Sequence, residues 1–219
     1  MKILYTISIR LYVIAIRIAS LFNAKAKLWI RGRKAIFQKL TEAIKEEKDI
    51  VWFHCASLGE FEQGKPIIEG YKIKHPSHKI LLTFFSPSGF EIRKNYEGVD
   101  WVFYLPTDTK ANAKRFIEII KPIKVIFVKY EFWFNYMAEC KKQNIPFYSV
   151  SSIFRKEQSF FKYDFFAKQL NNVSHFFVQD QNSKELLQNL GFSNCTIAGD
   201  ARFDSVIANT QKCNKHSFN

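Results

Sequence analysis

The stretch Ile50–Gln63, IVWFHCASLGEFEQ, decides the fold. Its apolar run IVWF is followed by small residues and a glycine, a pattern typical of a buried strand in a parallel sheet. The loop after such a strand opens at the carboxyl edge of the sheet, where open α/β sheets bind their ligands. Glu60 follows in the first turn of the next predicted helix. It is therefore a candidate site residue, although a carboxylate here is also expected simply to complement the helix dipole.

The rest of the chain repeats this alternation of strand and helix. Apolar strand candidates lie at 50–54, 79–84, 101–105, 123–128, 146–150, 174–178 and 195–198. Amphipathic helix candidates lie at 61–74, 88–97, 109–121, 132–143, 158–170 and 181–190. Helices of this length between strands predict right-handed βαβ units and a parallel sheet. The predicted fold class is therefore α/β, doubly wound, with a helical, charged linker at 34–48.

Length and charge limit the class of protein. With 219 residues and 47% hydrophobic content, the chain can form a folded core. Its net charge is +13, and residues 1–40 contain nine Lys or Arg and no Asp or Glu. These cations flank apolar sequence instead of spreading over a folded face, which favours an anionic membrane over nucleic acid. Nucleic-acid binding rests on the isoelectric point alone, and we predict none.

The N-terminal segment 1–33 is predicted to be a membrane-associated basic helix. Residues 3–22 are apolar over about the length that crosses a bilayer, but Arg10 and Arg17 interrupt them. The two arginines fall on one side of a helix, so the segment is suited either to span the membrane or to lie in its interface. A buried N-terminal helix is the alternative. The basic residues that follow, at 25–39, predict that the rest of the chain is cytoplasmic.

Cysteine and histidine spacing gives no sign of a metal site. Cys55, Cys140, Cys195 and Cys213 are far apart and form no CxxC pair, and the five histidines form no HExxH motif. We therefore expect free thiols in a reducing compartment, no metal and no bound cofactor.

Further candidate site residues follow the second, fourth and fifth predicted strands. Ser86, Ser88 and Gly89 form a turn in which Ser88 is the expected helix cap and free backbone amides suit an anion. A turn with a capping role alone is the alternative.

Two charged residues complete the predicted rim of the sheet. Glu131 reaches the same edge as Glu60, enclosed by aromatic residues; pairing with a lysine inside an aromatic core is its alternative interpretation. Arg155 follows the fifth strand, where a solvated surface arginine is the default.

In their order and spacing, these segments resemble the N-terminal half of the bacterial Kdo (3-deoxy-D-manno-octulosonic acid) transferases that act on lipid A precursors. The matching segments are WFHCASLGE (52–60), TFFSPSG (83–89), YLPTD (104–108), EFWFN (131–135), Ser151 to Arg155, FFVQDQNS (176–183) and GDARFD (199–204). The resemblance covers nearly the whole chain. It implies a GT-B glycosyltransferase, in which two Rossmann-like domains face each other across a cleft.

The resemblance also implies substrates and roles. Such enzymes transfer Kdo from the donor substrate CMP-Kdo to lipid A precursor at the cytoplasmic face of the inner membrane. Glu60 matches the proposed general base, which accepts the acceptor hydroxyl's proton as it attacks with inversion. Glu131 matches a glutamate that helps to position substrate. Ser86, Ser88, Gly89, Arg155 and Arg202 are weaker matches, suited to contact acceptor phosphate or donor carboxylate.

The sequence departs from this family at two places in the site and in its extent. Lys129 stands where the family commonly has a second glutamate, and Phe134 stands where it has proline. Residues 34–208 correspond to the Rossmann-like acceptor-binding domain and 209–219 to a polar tail. The C-terminal domain that supplies most of the nucleotide-sugar site is expected to be absent, so the chain alone is expected to be inactive. The alternative function is a non-catalytic, membrane-bound module that binds a phosphorylated ligand or partner.

Overall fold

The computed structural model describes residues 2–129 and 131–200. Arg202 and the predicted tail at 209–219 lie outside the described residues. Within them, the seven predicted strands are confirmed, each to within about two residues. They are β1 (Ile50–Cys55), β2 (Lys79–Phe84), β3 (Trp101–Tyr104), β4 (Lys124–Val128), β5 (Phe147–Ser152), β6 (His175–Val178) and β7 (Cys195–Ile197).

The strands form one parallel sheet of order β3-β2-β1-β4-β5-β6-β7. The chain moves outward in one direction from β1 to β3, returns to the centre at β4, and then moves outward in the other. The strand order therefore reverses between β1 and β4, and such a reversal creates a crevice at the carboxyl ends of the two strands. This topology confirms the predicted α/β, Rossmann-like fold.

Helices cover both faces of the sheet. They are α1 (Lys2–Ala19), α2 (Ala24–Gly32), α3 (Ile36–Ile44), α4 (Leu58–Lys74), α5 (Pro87–Arg93), α6 (Lys110–Ile120), α7 (Phe134–Lys142), α8 (Ser159–Lys162), α9 (Asp164–Gln169) and α10 (Gln181–Asn189). Helices α3, α6, α7 and α10 contribute to one core, and α4 and α5 pack on the opposite face. Since both faces are covered, the strands are apolar without alternation, as the sequence indicates.

A glycine lets α4 approach the two central strands. A Cβ atom added at Gly64 would lie 2.8 Å from a methyl carbon of Val128 in β4 and 3.1 Å from the Cys55 sulfur in β1. Because real Cβ contacts are longer than the first of these, a larger residue here would push α4 away from the sheet. The close approach fixes the first turn of α4, and with it Glu60, over the crevice.

Three local predictions need correction. Residues 34–48 are not a linker, because α3 buries Ile36, Leu40 and Ile44 in the main core. The segment 1–33 forms two helices separated by a turn, and the Asn23 side chain caps the second by accepting a hydrogen bond from the Ala26 N–H at 3.1 Å.

The predicted helix at 158–170 is the third correction. It is divided into α8, α9 and a short 3-10 helix at Leu170–Asn172, because Tyr163 has extended backbone angles between the first two.

Candidate functional site at the strand-order reversal

Glu60 lies at the crevice between β1 and β4. It stands in the first turn of α4, and its carboxylate accepts a hydrogen bond from the backbone N–H of Ala56. In a capping box, the acid three residues after the cap accepts from the N–H of the cap itself; here the N–H belongs to the residue before the cap. The cap residue, Ser57, makes no side-chain bond of its own. Glu60 therefore also bonds to backbone at the helix start, the position that the simpler interpretation of the sequence expected.

Glu60 also faces a groove of about 600 Å³ that collects the predicted acidic residues. The loops after β1, β2 and β4 form its floor, and α1 forms a wall. Its lining residues are Ser8, Ile9, Tyr12, Ala56, Ser57, Glu60, Phe85, Ser86, Glu131 and Trp133. The fold thus brings Glu60, Glu131 and Ser86 to one site, although Glu131 lies 71 positions after Glu60 in the chain.

The two carboxylates share a poorly hydrated environment. Burial, followed by the negative charge of Glu131, raises the pKa of Glu60 to about 7. The N–H groups of Ala56 and Ser57 and the charge of Lys129 act in the opposite direction. Burial also raises the pKa of Glu131, while Lys129 lowers it. A carboxylate that titrates near neutral pH is suited to exchange a proton with a substrate.

Lys129 has an unusual backbone conformation beside these acids. Its φ is +64°, which lies in the left-handed region that residues other than glycine rarely adopt. The hydroxyls of Ser149 and Ser152 donate hydrogen bonds to its carbonyl oxygen at 2.9 and 2.8 Å, which holds this turn in place. No ion pair joins Glu131 to any lysine in the described part of the chain. Lys129 therefore acts on the acids at longer range.

Ser86, and not Ser88 as predicted, caps α5. Its hydroxyl accepts a hydrogen bond from the Ser88 N–H at 3.3 Å, and its own N–H donates to the Ala56 carbonyl at 2.7 Å. Ser88 is exposed, with its hydroxyl 3.0 Å from that of Ser86, and it does not line the groove. The second hydrogen bond ties the loop after β2 to the loop that holds Glu60.

The remaining predicted residues lie elsewhere. Gly89 is buried, and a Cβ atom there would lie 2.2 Å from the Phe84 ring, so its place in the structure is one of close packing. Arg155 is exposed and is not part of the groove lining; its backbone N–H donates to the Gln158 side chain at 3.1 Å. Arg202 is outside the described residues.

The contribution of α1 to the site was missed in the sequence. Ser8 and Tyr12 are four residues apart and so share one helix face, a spacing that interrupts the apolar segment and that could have indicated an inward side. The Tyr12 ring stacks on Phe85 at 6.0 Å between centroids, and Phe85 lies 4.6 Å from Trp133. An aromatic wall therefore continues from α1 to the loop before α7.

Asp108 anchors both α1 and α7. It is 1% exposed; its carboxylate accepts hydrogen bonds from the Tyr5 hydroxyl at 2.5 Å and from the backbone N–H groups of Asn135 and Tyr136 at 3.0 and 3.1 Å. The cap of α6 is instead Thr109. Asp108 therefore bonds to two other helices and does not cap the helix that follows it. It connects the groove wall to the sheet.

The described residues contain no group of three or more His, Cys, Asp and Glu side chains that could hold a metal ion. Cys55, Cys140 and Cys195 are buried and unpaired. The groove offers carboxylates, hydroxyls and aromatic rings, which suits proton transfer and binding of a polyhydroxylated ligand.

Comparison with solved structures shows the fold. The UDP-GlcNAc 2-epimerase of Neisseria meningitidis superimposes with a TM-score of 0.56 at 14% identity, covering 77% of this chain and 50% of that one. A putative UDP-N-acetylglucosamine 2-epimerase from Listeria monocytogenes gives 0.53 at 12% identity, covering 70% of this chain and 46% of that one.

Sequence comparison shows the family. The 3-deoxy-D-manno-octulosonic acid transferase of Aquifex aeolicus is 40% identical over 101 residues, 46% of this chain and 27% of the relative. That of Chlamydia trachomatis serovar D is 24% identical over 181 residues, 80% of this chain and 42% of the relative. The chain thus spans less than half the length of these relatives. The family model described as 3-deoxy-D-manno-octulosonic-acid transferase matches residues 30–205. Together with the Rossmann-like sheet, this match shows that the chain belongs to the Kdo transferase family.

Proposed function

We propose that this chain forms the acceptor side of a glycosyltransferase that moves Kdo from CMP-Kdo to a hydroxyl of a lipid A precursor in lipopolysaccharide synthesis. The observation that carries the proposal is the groove at the strand-order reversal. In a member of the Kdo transferase family, this groove combines a partly buried glutamate, whose pKa is about 7, with a second acid.

In this mechanism Glu60 is the general base. Its carboxylate takes the proton of the acceptor hydroxyl while the hydroxyl oxygen forms a bond to the anomeric carbon of Kdo. The bond from that carbon to the CMP phosphate oxygen breaks, and CMP leaves with the electron pair. Attack from the face opposite CMP inverts the anomeric configuration. Glu131 lies in the same groove and is suited to position the acceptor or the sugar by accepting hydrogen bonds.

The outer side of α1 supports docking at the inner membrane, on its cytoplasmic face. Six apolar side chains of this helix are between 45% and 76% exposed. At 100° per residue they fall within one arc of about 100°, opposite the side that faces the groove. This apolar stripe consists of Ile3, Leu4, Ile7, Leu11, Ile14 and Ile18. No helix in residues 2–129 and 131–200 is both long and apolar enough to cross a bilayer. The one-sided apolar stripe fits a helix that lies in the membrane interface with this side toward the acyl chains.

The first experiment measures Kdo transfer from CMP-Kdo to a lipid A precursor. The 219-residue chain is assayed alone and with the C-terminal domain of a Kdo transferase supplied as a separate chain. We expect activity only in the mixture, since the groove supplies acceptor binding and the base but no described nucleotide site. Activity of the chain alone would contradict this division of roles. No activity in a folded, associated mixture would favour a non-catalytic binding module.

Glu60→Gln tests the catalytic assignment in the active mixture. Loss of a general base predicts a rate lower by roughly 10²–10⁴. Glu97→Gln, which changes an exposed acid outside the groove, is the matched control. An unchanged rate for Glu60→Gln would reject Glu60 as the base.

Leu11→Asp tests the membrane assignment. A charge in the middle of the apolar stripe is expected to weaken binding to lipid vesicles, measured by co-sedimentation, without changing the thermal midpoint of unfolding. Ala138→Asp, on an exposed position of α7 away from the stripe, is the control. Equal binding by both variants would place the membrane contact elsewhere.

A further inference from the structure

A second pocket of about 600 Å³ lies on the other side of α1 from the groove. Helices α1, α2 and α3 and the start of α6 enclose it. Its lining residues are Val13, Arg17, Trp29, Ile30, Arg31, Arg33, Lys34, Ala35, Ile36, Phe37, Gln38, Pro106, Thr107, Asn112 and Arg115. Five of these side chains are cationic and none is acidic. The pocket therefore has a positive electrostatic potential, which attracts anions.

The rim cations of this pocket are available to a ligand. Arg17, Arg31, Lys34 and Arg115 are exposed, and none of them forms an ion pair with an acid in the described part of the chain. Arg115 comes from α6 and lies over the Phe37 ring at 4.6 Å. The pocket is thus assembled by folding and is more than a continuation of the basic N-terminal sequence.

The fifth cation, Arg33, forms the inner wall. Its guanidinium donates to the carbonyl oxygens of Phe85 and Leu105 at 2.7 and 2.9 Å and lies 3.8 Å from the centre of the Trp29 ring. Burial lowers the pKa of Arg33 to about 9, so the group remains charged at neutral pH without an acidic partner.

The buried indole N–H of Trp29 has no hydrogen-bond partner among the described residues. One wall of the pocket thus holds a positive charge without a counter-ion and a free hydrogen-bond donor. A bound anion would neutralise the charge and accept the hydrogen bond.

We propose that this pocket binds the phosphate group of an anionic phospholipid. The lipid source follows from its position, because Arg17 lies on α1 beside the apolar stripe, about 60° around the helix from Ile14. Arginine side chains bind phosphate oxygens through paired N–H donors, which lysine or a diffuse positive surface does not provide. The inference rests on the membrane docking proposed above. It adds a specific headgroup site to that docking.

The test compares two variants of the full chain that lose equal charge. The pocket variant carries Arg17→Gln, Arg31→Gln, Lys34→Gln and Arg115→Gln. The control carries Arg10→Gln, Lys25→Gln, Lys27→Gln and Lys39→Gln, which change exposed cations of the same basic region that do not line the pocket. Binding to phosphatidylcholine vesicles with and without phosphatidylglycerol is measured by co-sedimentation, and thermal unfolding establishes that both variants fold.

A specific site predicts that the pocket variant binds phosphatidylglycerol vesicles at least about tenfold more weakly than the control, the effect of one strong phosphate contact. Equal weakening would mean diffuse attraction and would overturn the proposal. The single variants Arg115→Gln and Lys114→Gln repeat the comparison on one helix. We expect only Arg115→Gln to weaken binding. If the quadruple variant does not fold, this pair of single variants still tests the proposal.

Two further measurements distinguish the lipid site from a site for free phosphate and from a chain that does not dock at membranes. Calorimetry measures the affinity of the chain for inorganic phosphate without vesicles. An affinity for free phosphate equal to that for phosphatidylglycerol vesicles would make free phosphate the ligand and overturn the lipid assignment. Failure of the wild-type chain to bind any vesicle would overturn both this site and the membrane docking. Since vesicle binding does not depend on Kdo transfer, an inactive enzyme leaves this test intact.

Discussion

Replacing Glu60 by Gln is expected to stabilise the protein at neutral and alkaline pH. The folded state raises the pKa of Glu60 from 4.5 to about 7, chiefly by burial, so the folded protein holds this proton more tightly than the unfolded chain. The wild type therefore has its full stability below pH 4.5 and loses part of it as the pH rises through 7. This rise in the pKa, at about 1.4 kcal/mol for each pH unit, corresponds to about 3 kcal/mol of stability. The glutamine keeps the shape and can still accept from Ala56.

Urea unfolding of wild type and variant from about pH 4 to about pH 8 measures this effect. The difference in the free energy of unfolding should be near zero at the acidic end. At the alkaline end it should reach about 3 kcal/mol in favour of the variant, roughly a 1 M shift in the urea midpoint. The exposed control Glu97→Gln should give a flat profile. A variant that is less stable than wild type at pH 8 would refute the reasoning, because the ionised carboxylate would then be a net stabiliser of the helix start.

Two other changes follow from the same structure. In a Glu131→Gln background, the gain in stability from Glu60→Gln should level off at a lower pH and be smaller at pH 8, since the neighbouring charge that helps to raise the folded-state pKa of Glu60 is gone. An unchanged gain at pH 8 would mean that the two acids do not interact. Leu40→Ala should destabilise the chain by about 2–5 kcal/mol, because Leu40 is fully buried in α3. The control Lys39→Ala, at the exposed neighbouring position, should change the free energy of unfolding by no more than about 0.5 kcal/mol. Equal urea midpoints for the two variants would mean that residues 34–48 are a linker after all.

The sheet, and the position of both acids at one edge of it, were predictable because each depends on a local pattern. Apolar runs such as IVWF identify strands, and parallel strands place their following loops at one edge. That β1 and β4 are neighbours, which brings Glu60 and Glu131 into one groove, is seen only in the structure. The order and spacing of the matching segments also indicated the family to which the chain belongs. Capping was predicted less well: Ser86 and Ser88 are both suitable caps, and only the backbone angles distinguish them.

Other features were beyond the sequence because they depend on contacts between distant residues. Arg33 belongs by sequence to a basic membrane segment, yet it is half-buried and donates hydrogen bonds to the carbonyl groups of Phe85 and Leu105, 52 and 72 positions away. Asp108 has the spacing of an ordinary helix cap and instead holds α7 and Tyr5. The groove wall formed by α1 is partly of the same kind, since the spacing of Ser8 and Tyr12 marks one side of the helix but not the loops that this side contacts.

The two-sided character of α1 has a practical consequence for work on this protein. An exposed apolar N-terminal helix is the segment that an experimenter would remove to improve solubility. Shortening the chain to begin at α2 would also take away Ser8, Ile9 and Tyr12 and leave the buried carboxylate of Asp108 without its hydroxyl partner from Tyr5. The shortened protein would keep its sheet but open one side of the groove to water. Its failure to bind an acceptor would then report on the deletion and not on the residues that remain.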